Sequence, residues 1–176
     1  YSNQRSEIME AIKREADGKG FKAYIIPEGA SNGIGSFGYY TAMEEIIRQE
    51  KELGIHFDCI VLATGSGGTY SGLWLANKLL SHSSDVYGIC VGGDAGYFKA
   101  IIPEILFESM EYMDVKIPVS PEDINIIDGY VGRGYALSRP EELRFIHGFA
   151  ELEGIILDPV YTGKAMYGLT EEIKKG

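Results

Sequence analysis

A glycine-rich run, Gly65-Ser66-Gly67-Gly68-Thr69, joins the apolar segment FDCIVLAT to the amphipathic segment TYSGLWLANKLL. Successive glycines let several backbone N–H groups converge on one anion, and the head of a following helix adds partial positive charge. The hydroxyls of Ser66 and Thr69 supply further donors. No lysine or arginine lies between Asp58 and Lys78, so amides and hydroxyls would do the binding, as suits a phosphate monoester held as a fixed handle. A Walker A loop needs a lysine after its last glycine, and the G-x-G-x-x-G fingerprint needs glycine where Tyr70 stands. The other reading of this run is a tight strand–helix turn with no ligand.

Three more segments carry polar groups in small-residue settings. Glu28–Gly35 (EGASNGIG) offers Ser31 and Asn32 for close approach to a flat ligand, or it is a loop with Ser36 capping a helix. Asp158–Lys164 (DPVYTGK) offers Tyr161 as a hydrogen-bonding acid or base and Thr162 as a neutral donor. The same letters also fit a helix cap at Asp158 or Thr162. Gly129–Tyr135 (GYVGRGY) would set Tyr135 over a ligand, or it is a structural loop. The histidines at 56, 82 and 147 share no ligand spacing, so no metal site is expected. The carboxylates Glu44, Glu45, Glu50 and Glu52 fall on one helical segment and are expected to form a solvated face.

These segments need a scaffold that brings them together. Apolar residues at Ile8, Met9, Ile12 and Ala16 predict a helix over Ser6–Ala16. Further helices are expected at Ser36–Leu53, Thr69–Leu80, Tyr97–Met113 (kinked or split by Pro103), Pro140–Glu153 and Gly163–Lys175. Strands are expected at Ala23–Pro27, Phe57–Thr64, Asp85–Val91, Asp123–Ile127 and Ile155–Asp158. Strands that barely alternate are buried on both faces, and their alternation with helices implies parallel βαβ units. The expected fold is therefore α/β, three layers of helix, sheet and helix, with a mainly parallel sheet of about five strands and no internal domain boundary. Ligands of such sheets sit at the carboxyl ends of the strands.

Composition narrows the function classes. The chain has 176 residues, with 16 Lys plus Arg against 26 Asp plus Glu, a formal charge of −10. That balance lacks the basic footprint of a nucleic-acid partner or an anionic membrane surface, and no stretch approaches the ~18 apolar residues of a membrane span. Cys59 and Cys90 both lie in apolar runs and read as buried free thiols of a cytoplasmic enzyme. There are 23 glycines, nearly twice the usual share of about 7%. Much of the excess falls in four turns, Gly29–Gly38, Gly65–Gly72, Gly92–Gly96 and Gly129–Gly134. All four follow expected strands and so should share one edge of the sheet, as a ligand-facing rim. The chain opens on Tyr1 rather than methionine, and a piece of a longer protein is expected.

The segments IPEGASNGIGSFGY, ATGSGGTYSGL, GYVGRGYA and EGIILDPVYTGKAMYGL occur in that order. Together they resemble the D-cysteine desulfhydrase / 1-aminocyclopropane-1-carboxylate deaminase family, pyridoxal-phosphate enzymes of the tryptophan-synthase-β fold type. The resemblance spans about Tyr24 to Leu169. It implies pyridoxal 5'-phosphate as cofactor, with Thr64, Gly65, Ser66, Gly67, Gly68 and Thr69 around its phosphate. It implies Tyr135 and Tyr161 as active-site tyrosines, Thr162 as partner of the pyridine nitrogen, a small amino-acid substrate and a homodimer. The family's Schiff-base lysine lies in an N-terminal part with no counterpart here, and Lys164 matches a different position. Residues 1–176 are thus expected to be most of the larger cofactor domain, cut at both ends and inactive alone. In the deaminase the position of Thr162 is a glutamate, so Thr162 favours β-elimination of D-cysteine over opening of a cyclopropane. A phosphate-binding α/β module without chemistry is the reading from another class.

Overall fold

Residue alternation in a strand sends neighbours to opposite faces, so a strand apolar at every position needs cover on both sides. CIVLAT forms β1 (Cys59–Thr64), which pairs in parallel with β2 (Asp85–Cys90), from Cys59 opposite Asp85 to Thr64 opposite Cys90. β2 pairs in parallel on its other side with β3 (Asn125–Ile127). Ile60, Leu62, Val86 and Ile126 face a core with Tyr70, Phe98, Ile102 and Leu106. Val61, Ala63, Ile89 and Ile127 face a smaller one with Tyr130 and Ala165. This is a computed structural model, and it describes residues 4–176.

Helices supply the two covering layers. α2 (Gly33–Leu53), α3 (Gly68–Leu79) and α4 (Ala95–Met113) pack on one another over the larger core. α6 (Thr162–Lys175) lies on β1 and β2 from the other side, with α5 (Pro140–Glu153) against it. α1 (Arg5–Gly18) precedes them and buries none of its residues. Gly88 lets α3 press onto the sheet: a Cβ there would lie 3.0 Å from the Tyr70 ring and 2.3 Å from Thr64 Oγ1. Tyr70 Oη accepts the Asn125 N–H at 2.8 Å and donates to the Val86 carbonyl at 3.2 Å. The tyrosine that breaks the dinucleotide fingerprint is thus a bracket between β2 and β3. No helix among the described residues is long and apolar enough to cross a membrane.

The three-layer parallel architecture is as expected; several details differ. The described residues hold three strands, in the order β1-β2-β3, rather than five. Ala23–Pro27 and Ile155–Asp158 have no ladder partner, and Tyr24, Ile26, Ile155 and Ile156 are exposed. α2 begins at Gly33 rather than Ser36, because the Asn32 side chain caps it by accepting the Gly35 N–H at 2.8 Å. Ser36 is instead buried inside the helix, bonded to the Gly33 carbonyl and to Ser109. Pro103 does not split α4, which runs through it. Cys59 is exposed, being the first residue of an outer strand. Cys90 is buried, and burial pushes its thiol up to about 12. Glu50 is no part of a solvated face; it is buried, and both His56 and His82 turn toward it.

Candidate active site

Parallel pairing puts the ends of all three strands, Thr64, Cys90 and Ile127, at one edge of the sheet. The turns that follow them, with the loop before α2, surround a cavity of about 750 Å³. Ser31, Gly65, Ser66, Gly92, Gly93 and Tyr135 are among its lining residues, so each of the four glycine-rich segments reaches it directly or through the next side chain. The cavity also carries Glu28, Asp94 and Glu104 against one guanidinium, Arg5, itself paired with Glu28. An anion entering this cavity would meet backbone amides and hydroxyls at the glycine turn and no cation free of a carboxylate partner among the described residues.

Gly65 and Ser66 line the cavity, and the head of α3 follows directly behind them. Gly67 stands just before the helix with φ 91°, a left-handed conformation that glycine adopts without strain. The first amides of a helix have no intrahelical acceptor. That of Gly68 is met by Ser31 Oγ at 3.2 Å, and Ser31 Oγ in turn donates to Ser66 Oγ at 2.6 Å. Ser31 therefore joins the loop before α2 to the glycine turn. Its neighbour Asn32 is committed to capping α2. Thr69 is half-buried in the first turn of α3. Thr64 behaves differently from its neighbours. Its hydroxyl points into the core beside Gly88 and has no hydrogen-bond partner among the described residues, so only its backbone bears on the rim. The space above the turn is compact: a Cβ at Gly65 would lie 3.2 Å from the Tyr161 ring, and one at Gly92 would lie 3.1 Å from the Tyr135 ring. This cradle of glycine backbone, serine hydroxyls and a helix head fits a phosphate group with a flat ring beside it.

Tyr135 and Tyr161 meet over those glycines. Their hydroxyls are hydrogen-bonded, and their rings stand edge to face with centroids 5.9 Å apart. The bond from Tyr135, then burial, raises Tyr161 above the ordinary phenol range, so at neutral pH it keeps its proton. Asp158 sets the backbone of Tyr161. Its Oδ1 accepts the N–H groups of Val160 (2.8 Å) and Tyr161 (2.7 Å). Its Oδ2 accepts the N–H (2.8 Å) and Oγ1–H (2.5 Å) of Thr162. Burial would raise the Asp158 carboxyl, but the four hydrogen bonds outweigh it and bring it from 3.8 to about 2. Thr162 Oγ1 also accepts the Asp158 N–H at 2.9 Å.

Lys164, which the resemblance sets at a position other than the Schiff-base lysine, has a structural role of its own. It is 1% exposed, and its Nζ donates to the carbonyls of Val131 and Gly134, both at 2.7 Å. It clasps the loop that ends in Tyr135. A signal was available: Lys164 shares its helical stripe with Gly168, and a lysine on the buried stripe of a helix needs internal acceptors.

Two expectations follow. Lys164→Met leaves two carbonyls without a donor. It should cost the full-length protein about 1–3 kcal/mol in urea unfolding and raise hydrogen exchange over 131–135; unchanged exchange would argue against the clasp. Asp158 has a depressed folded-state pKa, so its contribution to stability is present above pH 4 and is lost as pH falls toward 2. Asp158→Asn should therefore be less stable than wild type at pH 7, with the gap closing between about pH 4 and pH 2. A gap that does not change with pH would contradict this.

Comparison with known proteins places the chain. The family described as pyridoxal-phosphate dependent enzyme matches residues 1–176. A bifunctional D-cysteine desulfhydrase/1-aminocyclopropane-1-carboxylate deaminase of Arabidopsis thaliana, mitochondrial, is 39% identical over 99% of this chain and 43% of its own. A 1-aminocyclopropane-1-carboxylate deaminase of Rhizobium rhizogenes is 37% identical over 98% of this chain and 51% of its own. The crystal structure of an ACC deaminase homologue superposes with a TM-score of 0.83 at 38% identity, over 97% of this chain and 49% of that one. The chain spans about half the length of the relatives it matches. This match over residues 1–176, together with the glycine turn and the two facing tyrosines at one edge of the sheet, means that the chain belongs to the pyridoxal-phosphate dependent enzyme family.

Proposed function

We propose that the whole protein is a lyase that takes D-cysteine and water to pyruvate, ammonia and hydrogen sulfide, and that residues 1–176 are most of its larger, cofactor-binding domain. Bound pyridoxal 5'-phosphate supplies an electron sink that makes the substrate's Cα–H acidic. The residues that would hold it are the glycine turn and the head of α3, from Gly65 to Thr69, with Ser31 and Ser66 adding hydroxyls. The resemblance would make Thr162 the partner of its pyridine nitrogen, for which its hydroxyl would turn from the Asp158 carboxylate to which it donates here. The lysine that bonds the cofactor belongs to the rest of the protein.

The observation that carries the choice of substrate is Thr162. Its hydroxyl is neutral, and it bonds the Asp158 carboxylate, which stays ionised down to about pH 2. A neutral partner leaves a pyridine nitrogen largely unprotonated and the ring a weaker electron sink. That suffices to expel a good leaving group such as thiolate from Cβ; opening a carbon ring needs more. Tyr161 keeps its proton at neutral pH, hydrogen-bonded to Tyr135, and would deliver it to the departing sulfur.

The finer architecture belongs to the same reading. A groove of about 340 Å³ runs along the open edge of β1, lined by Val61, Ala63, Leu157, Thr162, Ala165 and Leu169 among others. It supports a further strand from the rest of the protein, with Ile155–Asp158 and Ala23–Pro27 joining to complete a sheet of about five. The whole protein is taken as a cytoplasmic homodimer. The free thiols Cys59 and Cys90 support a reducing compartment, and exposed Leu152 and Ile156 support burial against further protein.

Full-length enzyme should release sulfide and pyruvate from D-cysteine with kcat/KM at least about tenfold above that for 1-aminocyclopropane-1-carboxylate, a difference of roughly 1.4 kcal/mol in barrier. Thr162→Glu should lower that ratio and shift the cofactor's visible absorption. Tyr161→Phe should lower kcat by roughly 10²–10⁴. Turnover of the cyclopropane alone would make the protein a deaminase. Phosphate binding with no turnover would make it a binding module. An unchanged ratio and spectrum in Thr162→Glu would remove Thr162 from the account.

A further inference from the structure

The amino ends of the strands, opposite the rim, hold a second polar cluster. Glu50 lies in the last turn of α2, His56 just before β1, and His82 in the connection from α3 to β2. Glu50 is 6% exposed. One of its oxygens faces His82 Nε2 at 2.6 Å and the other faces His56 Nδ1 at 3.3 Å. The imidazole centroids are 5.2 Å apart, and one ligand atom from each of the three residues lies within 4.8 Å of the others.

We propose that Glu50, His56 and His82 form a binding site for a divalent transition metal of the zinc class.

Two imidazole nitrogens and one carboxylate are the donor set that such ions take as three protein ligands, with a fourth position left for water. The surroundings suit the ligands. The Phe57 N–H bonds Glu50 Oε1 at 2.7 Å and fixes the carboxylate from behind. Ser83 Oγ lies 3.2 Å from His56 Nε2, the nitrogen away from Glu50. An outer partner of this kind orients a ligating imidazole and holds its remaining proton. The ion would take His56 Nδ1 and His82 Nε2 as neutral imidazoles, the single proton of each ring then lying on its outward nitrogen. The ligands come from three separate elements, so a bound ion would tie the end of α2 to the connections entering β1 and β2.

The test uses the full-length holoenzyme stripped of metal, titrated with Zn²⁺ and with Ni²⁺ by calorimetry and thermal unfolding. One ion should bind per chain and raise the unfolding temperature. X-ray absorption should show two imidazoles in the zinc shell at about 2.0 Å. His56→Ala removes a half-exposed side chain and should fold; it should weaken binding at least about tenfold, as should His82→Ala and Glu50→Gln. His147→Ala, on α5, should bind as wild type and so controls for surface histidines and for metal held by the cofactor. Absence of binding at about 100 µM metal, an affinity weaker than roughly −5.5 kcal/mol, would overturn the site. Binding that survives His56→Ala would overturn it equally. In either case the cluster is a hydrogen-bonded staple only.

Discussion

The parallel register of β1 on β2 is the constraint on which the rest depends. It sets Thr64 opposite Cys90, so the chain leaves both strands at the same level and turns on the same side. Ladder bonds fix that level to within one residue, since a slip of one would turn Val61 and Ala63 to the wrong core. The glycine turn after β1 can then face Gly92 and Gly93 across one cavity. The site is thus a consequence of strand pairing first and of side-chain chemistry second.

The loops at this edge are held by side chains bonded to backbone. Asn32 holds the Gly35 amide, Asp94 that of Tyr97, Asp128 that of Ala95, and Glu108 that of Gly33. Asp158 gathers three successive amides, and Lys164 two carbonyls. Each such bond satisfies a main-chain group that a tight turn would otherwise leave unpaired. Pre-set loops need little reordering when a ligand arrives, which suits a cofactor that must be held in one orientation.

The layered fold was legible because buried parallel strands lose their alternation and the helices keep theirs. The glycine turn was legible because few structures need three glycines at the head of a helix. Other features were not, for identifiable reasons. Strand count failed at Ala23–Pro27 and Ile155–Asp158, where apolar runs are available for a sheet but a ladder needs a neighbour. Thr64 enters the expected phosphate loop through the family resemblance, yet as the last strand residue its side chain follows the pleat into the core. Asn32 rather than Ser36 caps α2, because the helix starts three residues earlier than its apolar pattern suggests. Glu50, His56 and His82 are spread over 33 positions, and no local spacing could join residues that only the packing of α2 against the strand entries brings together.

The central claim is that the head of α3 binds a phosphate through amides and hydroxyls. The most direct measurement is the affinity of full-length apoprotein for pyridoxal 5'-phosphate against unphosphorylated pyridoxal, in wild type and in Ser66→Asp. An aspartate there suits the helix macrodipole and should leave stability intact, while setting a carboxylate where the phosphate would sit. The account predicts a phosphate preference of at least about 100-fold in wild type, or roughly 2.7 kcal/mol, falling below about tenfold in the variant. An equal affinity for the two compounds in wild type, or a preference untouched by Ser66→Asp, would contradict it.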